Sequence, residues 1–465
     1  MTSSPRSPWP IFFIACIAVF LVSLDGTMLF AAFGALRAGF PQAGAGDLSW
    51  VLNAYTVVYA ALLVPAGRLA DRYGRKRMFL VGVALFLLSS LLCGLSSSLA
   101  LLVGARVLQA IGAALLTPSS LSIVLAAFPQ ERRAIAVSLW GAVGGLAAAI
   151  GPSLGSWVVD AWGWPWAFFL NLPLGLLSLW RGAHVLVESR NPDNAAPLDV
   201  VGVLLLIGGV GAIAFGLVRA EEAGWHSVMV PACIAGGLAV LGLFVAWARH
   251  TPSPAIDLTL FDDRSYRYVN AATLSFGVAF ALMFFGFFFF VMQVWHYPLP
   301  LAGLAAAPGP LLVIPVAIIA GRHAARAGHR ALLVGGSLVY ACGGLWFYLM
   351  AGPVADYWGT WFPGQLLSGA GVGMVLPSLS AAAVAHLPGH RFGVGSAVNQ
   401  ATRQMGGVLG VALTVVLVGH ALPTLADFRT LYLCHVGLAL LTGLLCLRVD
   451  TRPRAVAATT PAVAA

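Results

Sequence analysis

The sequence is short of charge: only 9% of its 465 residues are Asp, Glu, Lys or Arg, where soluble domains average about 25%. Hydrophobic residues make up 60% and are spread along the whole chain. That much apolar surface excludes a soluble globular protein, so the solvent must be a bilayer. Lysine is almost missing, Lys76 being the single one among 25 basic residues. The basic residues fall in short clusters between apolar runs, not on one wet face interleaved with aromatics, which excludes nucleic acid as a partner. All six cysteines (Cys16, Cys93, Cys233, Cys342, Cys434, Cys446) lie inside apolar runs without a CxxC pair, so neither a disulfide framework nor a metal site is indicated. There is no Walker A loop, which excludes ATP as the direct driver. The histidines sit mostly in loops or at helix ends, so the facing His, Asp, Glu or Cys cluster of a membrane-embedded enzyme is missing. Neither an enzyme activity nor a cofactor is expected.

What is there is a succession of apolar runs. A helix needs about 20 apolar residues to cross a bilayer, and fourteen such runs can be marked, at 11–33, 49–66, 78–96, 99–126, 134–159, 165–186, 200–218, 228–248, 268–292, 302–320, 331–351, 358–386, 393–420 and 428–447. The first is read as a retained helix, since its length and internal Asp25 do not fit a signal peptide. With the N-terminus cytoplasmic, that side holds 20 of the 25 basic residues and the opposite loops only Arg37, Arg219 and Arg429. The positive-inside rule therefore places both termini in the cytoplasm. Arg106 and Arg403 are left inside the membrane.

An internal repeat divides the chain. Gly67, Arg68, Arg72, Gly74 and Lys76 return 254 positions later as Gly321, Arg322, Arg326, Gly328 and Arg330, and Pro118 and Pro129 return as Pro377 and Pro388. Parallel six-helix repeats are a common plan for secondary transporters, with the substrate site between the halves. The expected fold is all-α: a six-helix bundle over 1–190, two additional helices and a linker over 191–265, a second six-helix bundle over 266–450, and a disordered cytoplasmic tail over 451–465.

Several segments carry chemistry. Gly67-Arg-Leu-Ala-Asp-Arg-Tyr-Gly-Arg-Lys-Arg77 joins the second and third runs. Its glycines and its one acid among five bases go beyond what a positive-inside anchor requires. Leu24-Asp25-Gly26-Thr27 places the one acidic residue well inside an apolar run, at a cost of about 2.5 to 3.5 kcal/mol on insertion scales. A carboxyl that can gain and lose a proton there is a coupling site; the alternative is a carboxylate capping a helix break at Gly26. Arg106 and Gln109 share one helix face, at a depth similar to that of Asp25, so a direct or water-bridged contact is open to them. The alternative for Arg106 is to snorkel to the headgroups. Gly151-Pro152-Ser153-Leu154-Gly155 lies in a helix dense in glycine, where backbones approach closely or bend. Phe276, Phe280, Met283, Phe284, Phe287 and Phe288 form an aromatic wall that either lines a pocket for flat lipophilic guests or faces lipid.

These motifs, in this order, resemble the fourteen-span drug:proton antiporter branch of the major facilitator superfamily. The Gly67–Arg77 segment is similar to its cytoplasmic loop signature, which implies a conformational latch built from Gly67, Arg68, Asp71, Arg72, Gly74 and Arg75, with Asp71 paired to a neighbouring arginine or a helix end; Ala325 replaces the acid in the second copy. The resemblance gives Asp25 and Arg106 a proton-coupling role and Gly151, Pro152 and Gly155 the antiport motif. Trp164-Pro-Trp166 through Asn171-Leu-Pro-Leu-Gly175, Leu258 to Phe261, Gln293, Gly303, and Asn399 with Arg403, Gln404, Gly406, Gly407 and Gly410 extend it. Asp25, Gln109, Phe280, Phe284, Gln293, Asn399 and Arg403 are the candidate substrate-binding residues. The implied function is proton-coupled efflux of lipophilic, by preference cationic, drugs across the bacterial inner membrane by alternating access. A dedicated exporter of one endogenous neutral or anionic metabolite or antibiotic is the alternative, favoured by an intramembrane inventory of Arg106 and Arg403 against Asp25 alone. Protons, a small lipophilic substrate and membrane lipids are the expected partners, a periplasmic accessory protein is a further candidate, and a monomer is the expected functional unit.

Overall fold

The computed structural model describes residues 7–129, 132–190, 198–223, 227–385, 387, 391–418 and 423–451. Apart from Thr451, the tail expected over 451–465 lies outside them, as does Pro388. Every regular element among the described residues is helical. The first half comprises α1 (Trp9–Gly39), α2 (Ala45–Tyr73), α3 (Arg75–Gly94), α4 (Leu99–Ala127), α5 (Arg133–Trp162), α6 (Trp166–Phe169) and α7 (Asn171–Val185). The middle holds α8 (Val200–Ala223), α9 (Met229–His250) and a 3-10 turn at Leu258–Asp262. The second half comprises α10 (Arg264–Gln293), α11 (Leu299–Ala306), α12 (Pro308–Ala327), α13 (Arg330–Met350), a π-helical turn at Tyr357–Trp361, α14 (Phe362–Val384), α15 (Phe392–Val418) and α16 (Leu425–Cys446).

Among the described residues, thirteen helical segments are long and apolar enough to cross a membrane. The fourteenth expected run, 165–186, is the exception. It is divided at Leu170 into α6 and the 15-residue α7. Pro173 has no N–H to offer the carbonyl four residues before it, so the ladder is interrupted where α6 meets α7. Elsewhere local chemistry sets the boundaries: Ser98 caps α4, Asp263 caps α10, and Thr424 with Asp427 forms a capping box on α16. α1 runs six residues past its apolar run, through Arg37 to Gly39, because helix formation tolerates a charge that the apolar pattern does not.

The repeat is visible in backbone geometry. Gly74 ends α2 at φ 110° and its counterpart Gly328 ends α12 at φ 79°, a conformation that only glycine adopts without strain. Pro118 inside α4 and Pro377 inside α14 are similarly matched. Small residues let the helices approach within each half. A Cβ on Gly112 would come within 2.7 Å of the Phe86 backbone, and one on Gly371 within 2.6 Å of Tyr340. In a bilayer, where lipid tails are as apolar as leucine, such close packing is what holds helices together.

The two halves meet along two seams, α2 against α15 and α5 against α11 and α12. At the second, the Ser153 hydroxyl donates to the Gly303 carbonyl at 3.0 Å. α8 lies over the α2–α15 seam with α9 outside it. Leu204, Leu304, Ile319, Leu349 and Leu444 project outward, as lipid-facing side chains must.

Candidate functional site

Asp25 lies at the centre of α1, which runs unbroken through Gly26, so it caps no helix break. Close packing with α5 holds this turn in place: a Cβ on Gly151 would lie 2.0 Å from the Thr27 hydroxyl oxygen, and one on Gly155 3.1 Å from Met28 Cα. On its other side the carboxylate is enclosed by side chains of two helices, α4 and α7. Arg106 Nη1 donates to Oδ2 at 2.6 Å, while Gln109 Nε2 and Asn171 Nδ2 each donate to Oδ1 at 3.0 Å. Asp25 and Arg106 are each 1% exposed, so Arg106 does not snorkel.

Arg106 is itself held on all sides. Its Nε donates to the Val51 carbonyl at 2.9 Å, its Nη1 also donates to Gln109 Oε1, and its guanidinium lies 4.0 Å from the centre of the Tyr55 ring. Ser90 accepts from both Gln109 and Asn171, at 2.8 and 3.3 Å. The result is a neutral, closed cage in the first half. A buried pair of this kind is fully partnered only while the acid is ionised; protonating Asp25 leaves Arg106 with a lost acceptor.

The α2–α3 loop forms a second cluster. Asp71 accepts from Arg75 at 2.9 Å, and the Glu188 carboxylate accepts from the backbone N–H groups of Lys76 and Arg77, placing an anion at the start of α3. Arg68, near the end of α2, reaches the carbonyls of Ser253 and Pro254, at 3.1 and 2.8 Å. Asp199 holds the same strand of chain from the other side, accepting from the Ala255 N–H and the Trp247 indole. The segment that follows the additional helices is thus tied to the end of α2.

Residues 15–411 match the Major Facilitator Superfamily. The chain belongs to this family. Multidrug resistance protein Stp of Mycobacterium tuberculosis (strain CDC 1551 / Oshkosh) is 32% identical over 398 residues, covering 85% of this chain and 73% of Stp. The Tetracenomycin C resistance and export protein of Streptomyces glaucescens is 32% identical over 416 residues, covering 88% of this chain and 76% of its own. The inward open xylose transporter XylE from E. coli shares the fold at a TM-score of 0.63 and 14% identity, over 96% of this chain and 97% of XylE. This major facilitator protein is therefore a multi-pass membrane protein, of the inner membrane in bacteria, and its family and fold are those of transporters.

The candidate substrate residues of this major facilitator protein do not converge. Asp25 and Gln109 are enclosed in the cage. Asn399 is committed to α10, donating to Asn270 Oδ1 at 3.2 Å and Thr273 Oγ1 at 2.8 Å. Gln293 ends α10 with its Oε1 buried and unpartnered among the described residues. Phe276, Phe280, Phe284 and Phe288 form a ladder along α10, with ring centres 5.6 to 6.3 Å apart. Of these rings Phe276, Phe284 and Phe288 are buried in protein and Phe280 is half-buried, and Phe276 meets the Tyr340 ring at 5.5 Å. Arg403 makes no hydrogen bond or ion pair with either polar cluster among the described residues; it sits on the α15 turn whose carbonyl would lie 2.6 Å from a Cβ on Gly277. Sequence reasoning missed Asn171, Ser90 and Tyr55 as part of the cage. Asn171 could have been found as an amide inside an apolar run between Pro165 and Pro173, but Ser90 and Tyr55 carry no signal that separates them from ordinary helix residues.

Proposed function

We propose that the protein exports small lipophilic molecules in exchange for protons, with Asp25 as the proton carrier and Arg106 as its counter-ion. The observation that carries this reading is the closed cage of Arg106, Gln109 and Asn171 around the Asp25 carboxylate. In the cycle, a proton from the outer side neutralises Asp25, Arg106 is released from the pair, and the inter-bundle seams rearrange as substrate leaves. Deprotonation toward the cytoplasm re-forms the pair and readies the protein for another substrate. Both termini are assigned to the cytoplasm, where the Asp71–Arg75 pair and the Arg68 contacts act as a latch on one of the two states. The test is growth of an efflux-deficient bacterium carrying wild type or Asp25→Asn, at equal expression, on cationic, neutral and anionic toxic compounds. Resistance that disappears in the variant supports proton-coupled export; resistance that survives it removes Asp25 from the cycle.

A dedicated exporter of one neutral or anionic metabolite is the second reading. It is favoured by the complete neutralisation of Asp25 within its own half, which leaves that carboxylate closed to a cationic substrate.

A further inference from the structure

Arg403 lies in the interior of α15, and no carboxylate stands within ion-pair distance of it among the described residues. Nor does a hydrogen bond fix its guanidinium there, although the side chain is only partly exposed. Its position follows from its neighbours on the helix. Asn399, four residues back, looks toward α10, and Gln400, three residues back, looks toward α2, where its amide approaches the Tyr59 hydroxyl at 3.5 Å. At 100° per residue Arg403 falls between those two directions, facing the space where α2 of one half and α10 of the other flank α15. Tyr59 is also its electrostatic neighbour.

With Asp25 and Arg106 cancelling each other, Arg403 is the uncompensated charge of this interior. An ionisable residue kept inside a membrane protein without a partner marks a site for one. We propose that Arg403, with the Gln400 amide beside it, receives the carboxylate of a lipophilic organic acid whose apolar body lies along the Phe280–Phe284 ladder. A guanidinium forks onto a planar carboxylate through two parallel N–H bonds, and the Gln400 amide supplies a further donor beside it. The ladder begins within a turn of Gly277, the residue against which the Arg403 turn packs, so head and body contacts are adjacent.

The same site lies next to the proton cage. Tyr59 stacks on Tyr55 with ring centres 5.7 Å apart and planes inclined by 22°, and Tyr55 carries the Arg106 guanidinium on its face. The buried Tyr55 hydroxyl has no hydrogen-bond partner among the described residues. An acid bound at Arg403 and a proton bound at Asp25 therefore act on opposite ends of one two-ring stack. This inference deepens the export reading by naming its substrate class.

The test measures equilibrium binding of 9-anthracenecarboxylate and of its uncharged methyl ester to the full-length protein in detergent, with tetraphenylphosphonium as competitor. Wild type is expected to bind the carboxylate at least tenfold more tightly than the ester, without displacement by the cation. Arg403→Gln should bring that ratio close to one, and Arg403→Lys should restore part of it, since an ammonium keeps the charge but not the fork. A wild-type ratio near one, no binding of the carboxylate, displacement by the cation at comparable concentration, or an Arg403→Gln ratio equal to wild type would each overturn the proposal. A wild-type ratio near one overturns the proposal even if a variant misfolds. Antiport driven by a pH gradient, compared between wild type and Asp25→Asn, separates the two readings. Antiport that depends on Asp25 together with a ratio near one removes the acid site alone, and an Arg403-dependent ratio without antiport removes the export reading alone.

Discussion

Arg106 and Asp25, 81 positions apart in the chain, are joined by a 2.6 Å ion pair with both side chains 1% exposed. Removing one partner of such a pair leaves the other charged and buried, at a cost of about 3 to 5 kcal/mol, whereas removing both charges together can be nearly neutral. Arg106→Gln is therefore expected to lower the melting temperature in detergent strongly, and Asp25→Asn with Arg106→Gln to recover most of the loss. If the double variant melts no higher than the single one, the pair is not the source of the instability.

Transport should respond differently from stability. Asp25→Asn keeps the shape of the side chain and its contacts near Gln109 and Asn171 but removes the titrating group. Proton-coupled export should fall at least tenfold in everted vesicles, read by a pH-sensitive dye on substrate addition. The stable double variant should be equally inactive, which separates loss of coupling from loss of fold.

Much of this arrangement was legible in the sequence. Composition and apolar runs identified the helices, and one acid and one arginine at matching depths pointed to a contact. What stayed hidden depends on rotation about the helix axis. Asn399 and Arg403 are four residues apart and share a motif, yet one serves packing against α10 and the other faces the inter-bundle space, a distinction set by which helices flank α15. The split at Leu170 was hidden for a similar reason: an apolar run reports lipid compatibility, not whether every backbone bond is made.

The α2–α3 loop allows its two readings to be separated. A topological anchor needs positive charge alone, whereas Arg68 forks onto two carbonyls, those of Ser253 and Pro254. Arg68→Lys keeps the charge and loses the fork. The initial rate of export should fall at least threefold while membrane insertion and expression stay at the wild-type level. A full rate in this variant would reduce the arginine to an anchor.

Asn399 should behave as a structural residue. Its amide donates to Asn270 and Thr273 inside the α10–α15 contact, and Asn399→Ala would leave those buried acceptors unmatched. An orphaned buried polar group costs about 1 to 3 kcal/mol. A lower melting temperature with an unchanged order of substrate preference is expected, and a changed order would return Asn399 to the substrate path.

The α1–α5 contact offers the sharpest steric test, because the position of Asp25 depends on it. A methyl group at position 151 would lie 2.0 Å from Thr27 Oγ1 and 3.0 Å from Thr27 Cβ, with the Leu24 carbonyl at 3.4 Å. Most of that overlap is with one side-chain oxygen, so shortening the threonine removes it. Gly151→Ala should separate α1 from α5 by enough to disturb the Asp25 cage, lowering both thermal stability and proton-coupled export. Gly151→Ala with Thr27→Ala should regain stability, since the remaining contacts lie at or beyond 3.0 Å. If the double variant regains stability and export together, Gly151 acts through close packing; if stability returns without export, the Thr27 hydroxyl itself has a part in the proton cycle.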